Sequence, residues 1–499
     1  MWLRDRRIFW KNRQPSMGRG LTNQMSPDAA GRRKVLSWLG LTGAALALRS
    51  QSFAADSPTV FKVPPQEMGF DLPPGEVRRG KGETVQTNDE AGKAVVGRLH
   101  VAIGEGALVL LPDGELVVRK AGSFGLTDRS FVPVTMTDLG ARLTAEEFKG
   151  FKAKSTRHYL YIYNTSEEFQ LATSRILETM LPGIKGYAET QKIEVTEPAV
   201  PLVVVMFKTE EEFKNHSRLP DGVVAYYHTL SNRVFMYEQS QLGAVRPDIA
   251  VQQSISTIAH EGVHQILHNI GVQQRLSVWP MWLSEGLAEY FAPTSTGARL
   301  KWKGPGQVND LRMFELEQYL KSRAAAKPDG ELIEHTVLAA RLTSTGYATA
   351  WALTHYLAKI RRVEFNDYVR EVSRLGPLEA FGDIAGPGLV RENLVLFKRF
   401  FGDDLAALES RLVAHLKKLP YSDPFQGLPH CVATIVVSDG KKVQRDANTF
   451  HSPTLAQKWL RDLLEKVPAA QRSGAQTNIR LFPNRTAAEG YATQWLRGR

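Results

Sequence analysis

His260 and His264 lie four residues apart in an apolar stretch with Glu261 beside the first. A second four-residue pair, Glu285 and Glu289, follows about twenty residues later. On a helix, positions i and i+4 share a face with Cβ atoms about 6 Å apart. Two imidazoles at that spacing can each place a ring nitrogen about 2.0–2.1 Å from one Zn²⁺. Glu261 sits one residue round the same helix, near enough to reach a water held at the metal without binding the metal itself. Two nitrogens, a carboxylate and a neighbouring base are the parts of a hydrolytic zinc site, with one Zn²⁺ per chain expected.

The surrounding residues predict the elements that hold these groups. Ile255, Ile258, Val263, Ile266, Leu267 and Ile270 form a buried helical stripe. Pro247-Asp248 reads as the start of that helix and Gly271 as its C-terminal cap. Pro280 suits the first turn of a second helix and Pro293 stops it. Glu285 and Glu289 then share one face. One can bind the metal while the other accepts the spare ring N–H of a ligating histidine. Position 270 is Ile, so the third histidine that some zinc helices carry six residues after the second is missing. His268, on the same face at the wrong offset, is read as a helix neighbour or a group behind the ligands rather than a ligand.

With Ser284-Glu285-Gly286-Leu287-Ala288-Glu289-Tyr290 after the H-E-x-x-H run, the chain resembles the gluzincin metallopeptidases, the clan of thermolysin and aminopeptidase N. Their second helix carries N-E-G-x-A-E-Y, with Ser here in place of Asn, and the gap between the two motifs is slightly longer than usual. The resemblance implies that His260, His264 and Glu285 are ligands, Glu261 the base and Glu289 the group behind a ligand. In the aminopeptidase branch a Tyr about sixty residues after the Glu ligand stabilises the tetrahedral intermediate. Tyr347, in Gly346-Tyr347-Ala348-Thr349-Ala350-Trp351, stands at that distance at the opening of a helix. Packing on that helix is the other reading of Tyr347. The branch's G-x-M-E-N strand has no close counterpart, Val234-Phe235-Met236-Tyr237-Glu238 being the nearest run. The resemblance is to the exported bacterial members that have no assigned substrate.

Residues 1–54 read as a leader. Gly31-Arg32-Arg33-Lys34 precedes an apolar run from Val35 to Leu48. The run is shorter than the roughly 20 residues of a transmembrane helix, so it fits a signal peptide. The paired arginines resemble a twin-arginine signal. Ser52-Phe53-Ala54 offers a cleavage site, and Met25 opens a more ordinary leader than Met1. These features predict export to the periplasm or beyond and no transmembrane helix in the mature chain. Residues 1–54 carry ten Lys/Arg against two Asp/Glu, so their removal takes the net charge from +11 to +3. The basic balance belongs to the leader and does not point to nucleic acid. Cys431 is the only cysteine, which excludes an intramolecular disulfide and leaves histidine and carboxylate to hold any metal. Its adjacency to His430 is read as incidental.

The expected architecture is α+β. Residues 55–94 read as a Pro/Gly-rich linker, and 95–150 as a small β-rich module with a hairpin of Ala107–Leu111 and Glu115–Val118. Residues 151–424 read as a gluzincin-like catalytic domain, a mixed sheet leading into a zinc-helix bundle. Its strands are expected at 158–163, 200–207, 222–227 and 233–237, and helices at 167–181, 209–216 and over most of 310–419. Leu405, Leu408, Leu412 and Leu416 read as a core stripe. Residues 425–499 read as a small α/β appendage without chemistry.

The function expected is zinc-dependent hydrolysis of a peptide or protein substrate. An exported binding or assembly protein on the same scaffold, and a zinc hydrolase of a non-peptide amide, use the same residues. A pure scaffold has no chemical need for Glu261.

Overall fold

The computed structural model describes residues 60–89, 92–217, 223–239, 247–295, 301–322, 328–381, 388–438 and 443–498. The leader expected over 1–54 lies outside them. The fold is α+β, as the sequence predicts.

The N-terminal part is an antiparallel sheet. After β1 (Val60–Lys62) come β2 (Val77–Arg79), β3 (Thr84–Asn88), β4 (Ala94–Ile103), β5 (Gly106–Leu110), β6 (Leu116–Arg119) and β7 (Gly125–Leu126). The strand order is β6-β5-β4-β3-β7, with β2 also paired to β4. The hairpin of β5 and β6 is the predicted one. Residues 60–89 differ from the expected linker. β1 pairs with Glu379–Phe381, far along the chain, and β2 and β3 complete the N-terminal sheet. Prolines punctuate this stretch, yet Val63, Phe70 and Leu72 are buried with Val101, Ile103, Leu276 and Leu378. These apolar side chains tie the segment down where composition alone suggests a free arm.

The central sheet has the order β11-β12-β10-β9-β8. Its strands are β8 (Lys152–Ser155), β9 (Tyr159–Tyr163), β10 (Leu202–Thr209), β11 (Ala225–His228) and β12 (Arg233–Gln239). The inner three run parallel, while β8 and β11 are antiparallel edges. Helices cover both faces, so β10 reads as a continuous apolar run. Leu202, Val204 and Met206 pack under α2 (Glu167–Thr190) and α4 (Pro247–Asn269). Val203, Val205 and Phe207 face α1 (Met136–Glu146) and α3 (Glu210–Ser217). α1 falls in the stretch expected to be strands and belongs to this sheet, not to the N-terminal one. Ser166 caps α2, which starts at the expected residue 167, but the helix runs past the expected 181, through Pro182 to Thr190. Ile184 and Ala188 anchor its extension in the core.

A helical bundle follows: α5 (Met281–Phe291), α6 (Asp310–Ser322), α7 (Glu331–Leu338), α8 (Ser344–Ile360), α9 (Arg362–Ser373), then β13 (Glu379–Phe381), α10 (Gly388–Phe401) and α11 (Leu405–Leu416). Its core, which includes Trp282, Trp351, Tyr368 and Phe397, is continuous with the α2–α4 side of the sheet. The predicted Leu405–Leu416 stripe is buried there. The C-terminal part is a three-stranded antiparallel sheet, β15-β14-β16. It comprises β14 (His430–Ser438), β15 (Val443–Phe450), α12 (Pro453–Lys466), the short α13 (Ala469–Arg472), β16 (Gln476–Phe482) and α14 (Arg485–Leu496). Cys431 is buried in this sheet's core, and His430 bonds its own loop at Leu428 O. No described helix is long and apolar enough to cross a membrane.

Candidate metal centre

α4 begins at Pro247, and Gly271 just beyond its end adopts φ 85°. Its apolar stripe clamps the helix between the sheet and the bundle. Gln265 fixes its axial position by donating to Val203 O and Asn232 O, 3.0 and 2.8 Å away. α5 starts after Pro280 and ends at Phe291, within the predicted bounds. Two glycines in the motifs are contact points. A Cβ on Gly262 would run into Leu177 of α2, and one on Gly286 would lie 2.8 Å from Ala350 O of α8. Only glycine lets α5 and α8 approach so closely, and that approach carries Tyr347 to the site.

The fold brings His260, His264 and Glu285 together, with one ligand atom from each within 4.8 Å of the others. His260 Nε2 lies 3.0 Å from Glu285 Oε2 and 3.2 Å from His264 Nε2. His264 Nε2 lies 3.4 Å from the same Glu285 oxygen. Three ligands placed tetrahedrally at zinc bond lengths stand about 3.3 Å apart. Electronic structure agrees with this spacing. His260 Nδ1 lies 3.0 Å from Glu289 Oε1, so an N–H donated to that carboxylate from Nδ1 leaves Nε2 as the atom able to bind a cation. Three donor atoms then converge on one point, an arrangement compatible with a cation between them. Among the described residues no other group of this kind occurs.

The metal-free electrostatics point the same way. Burial alone would depress His260, but its hydrogen bonds to the Glu285 and Glu289 carboxylates outweigh it and hold the imidazole well above its ordinary range. A proton there stands in for the cation. Burial would raise Glu285, but the charge of His264 and hydrogen bonds to both histidines hold its carboxyl far below the usual range. Burial likewise opposes ionisation of Glu289, yet Arg312 and His260 bring it down to about 2. Glu261 behaves in the opposite sense. Burial raises it despite the nearby His260 and His264, as suits a proton acceptor. It is not part of the ligand cluster. Its Oε2 accepts the Tyr227 N–H at 2.9 Å, which ties it to edge strand β11.

Glu289 is 2 % exposed and held from two further sides, by Arg312 Nη2 at 2.6 Å and Asn309 Nδ2 at 2.8 Å. Tyr347 follows the cap Thr343 in the first turn of α8, with its ring 6.1 Å from His260's and the Arg312 guanidinium 5.2 Å from its centroid. Burial and the nearby charges of Glu285 and Glu261 push its phenol up, so it stays a hydrogen-bond donor. His268 stacks on Tyr227 and bonds Gln273 O, as a helix neighbour rather than a ligand. Glu238 accepts from Ser166 and Lys208 at the start of α2, so the Val234–Glu238 run has a structural role.

Sequence reasoning missed Arg312, Asn309 and Tyr227. Asn309 accepts from Arg312 N and so starts α6, a cap signal that was legible. That Arg312 folds back onto Glu289 depends on how α6 docks. Tyr227 contributes a backbone N–H, which no side-chain pattern announces.

Residues 254–379 match a family described as protein of unknown function (DUF1570). That span contains every side chain of the site described above, from His260 to Tyr347, while Tyr227 and the N- and C-terminal sheets lie outside it. No curated protein matches the chain.

Proposed function

We propose that this protein is a zinc-dependent hydrolase of the gluzincin type, cleaving peptide bonds outside the cytoplasm. The observation that carries the reading is the convergence of His260 Nε2, His264 Nε2 and Glu285 Oε2 at 3.0–3.4 Å, beside a buried carboxylate with raised proton affinity. Zinc held by these three residues supplies Lewis acidity toward the scissile carbonyl and makes a water acidic near neutral pH. Glu261 takes the proton from the attacking water and returns it to the leaving amine. Its contact with Tyr227 N–H keeps it oriented toward edge strand β11. Tyr347 donates to the oxygen that becomes negative. Glu289, held by Arg312 and Asn309, fixes the tautomer and ring plane of His260. The twin-arginine-like leader supports an exported setting, and a Cys-poor chain fits a His/carboxylate site.

The test is metal content and peptidase activity of chain purified from Ala55 onward. Wild type should hold about one zinc per chain and Glu285→Ala far less. Glu261→Gln should keep its zinc and lose turnover, whereas Tyr347→Phe should keep zinc and lower kcat by about 10²–10³-fold. No zinc in wild type after reconstitution, or full activity in Glu261→Gln, would overturn the proposal.

A further inference from the structure

A cavity of about 220 Å³ lies between the N-terminal sheet and the end of α4. Arg79, Arg98, His100, His268 and Arg275 line it, and no carboxylate does. Its walls are built. A register shift in the pairing of β4 with β5 falls between Leu99 and Val101, which leaves His100 as the unpaired residue. Bulges of this kind re-aim a side chain. His100 Nε2 bonds Arg275 O at 2.9 Å, and His268 Nδ1 bonds Gln273 O at 3.1 Å. Each imidazole is thereby fixed with its second nitrogen unbonded.

Arg275 is 6 % exposed, yet its guanidinium bonds only backbone carbonyls, those of Gly114, Thr229 and Leu230. A buried guanidinium is ordinarily matched by a carboxylate or an anion. The acids nearby are engaged elsewhere: Glu115 with Arg233, and Glu379 with Lys62 and Gly376 N. Arg98 lies over the Phe131 ring at 4.7 Å, which orients it without neutralising it. Neither Arg79 nor Arg98 forms an ion pair among the described residues. Three guanidinium groups around one small cavity whose lining holds no carboxylate give it a positive field.

We propose that this cavity is a binding site for a tetrahedral oxyanion, a phosphate or sulfate group, bare or carried on a larger molecule. Arginine matches such oxygens with pairs of N–H donors. Three positive charges, two of them oriented by Phe131 and by backbone carbonyls, favour a dianion over a single carboxylate, and the volume leaves room for an ester substituent. The site is separate from the metal centre and does not depend on its chemistry.

The test is calorimetric titration of the full chain with inorganic phosphate and with sulfate, at ionic strength matched with chloride. Saturable binding of either anion is expected, weakened at least tenfold in the double variant Arg79→Gln/Arg98→Gln, with zinc content unchanged. The relative affinities tell which anion the site prefers. Both substitutions are at the rim and leave the buried Arg275 in place, so folding is preserved. No saturable binding of either anion, equal binding by the double variant, or acetate binding as tightly as phosphate would each overturn the proposal.

Discussion

The residues of the metal centre divide by the environment each is given. Glu285 and Glu289 sit one helical turn apart, and both are held ionised, but by different partners: Glu285 by the two histidines, Glu289 by Arg312. Glu261, on the neighbouring helix, is pushed the other way by burial. Such a split is consistent with the proposed roles of ligand, orienting group and base. Removing the orienting charge should loosen the metal without removing a ligand. Glu289→Gln is expected to weaken zinc affinity by about 10–100-fold, measured by competition with a chelator. Unchanged affinity would show that Asn309 and Arg312 merely pack against α5.

At the scale of elements, the α5–α8 contact governs whether Tyr347 faces the ligands. Gly286→Ala would place a methyl against Ala350 O and Thr354, and overpacking of this kind costs about 1–3 kcal/mol. The expected outcome in denaturant unfolding is a lower midpoint with unchanged slope, together with reduced turnover. A variant as stable and active as wild type would show that the helices separate easily. The joint between β4 and the loop after α4 has a pH signature. Burial lowers His100 to about 4, with the neighbouring Arg275 and Arg79 charges adding to the effect, while its bond to Arg275 O opposes it. The folded protein therefore binds this proton less readily than the unfolded chain. The contribution is complete above an unfolded pKa of about 6.5 and is lost as pH falls from there to about 4. Thermal unfolding of wild type should weaken more steeply across that window than that of His100→Gln, whose amide can still donate to Arg275 O. Parallel curves would contradict the assignment.

Across the whole molecule, an ion-pair cluster helps to fasten the C-terminal sheet to the bundle. Arg485 bonds Glu317 of α6 at 2.9 Å, Asp423 of the connecting segment at 2.5 Å, and Glu489 of its own helix at 2.8 Å. Asp423 is nearly buried, so Arg485→Gln strands a charge, a change that costs about 3–5 kcal/mol where the pair is buried. Limited proteolysis should then cut between α11 and β14 while zinc content stays intact. Resistance equal to wild type would show that apolar contacts such as Phe314 against Phe425 hold the joint alone.

The sequence by itself determined what depends on short spacing. The i and i+4 pairs put His260 with His264 and Glu285 with Glu289 because helix periodicity is local. Pro280, Gly271 and Ser166 set boundaries through backbone restrictions that act within a few residues. The strand expected at 200–207 was likewise visible as a local apolar run. What only the tertiary structure decided were contacts between distant segments. These include β1 pairing with β13, Arg312 reaching Glu289, the Tyr227 N–H holding Glu261, and the bulge that turns His100 toward Arg275. Each depends on how two separately folded elements dock, and docking is fixed by the summed packing of a core rather than by any residue's neighbours in the chain.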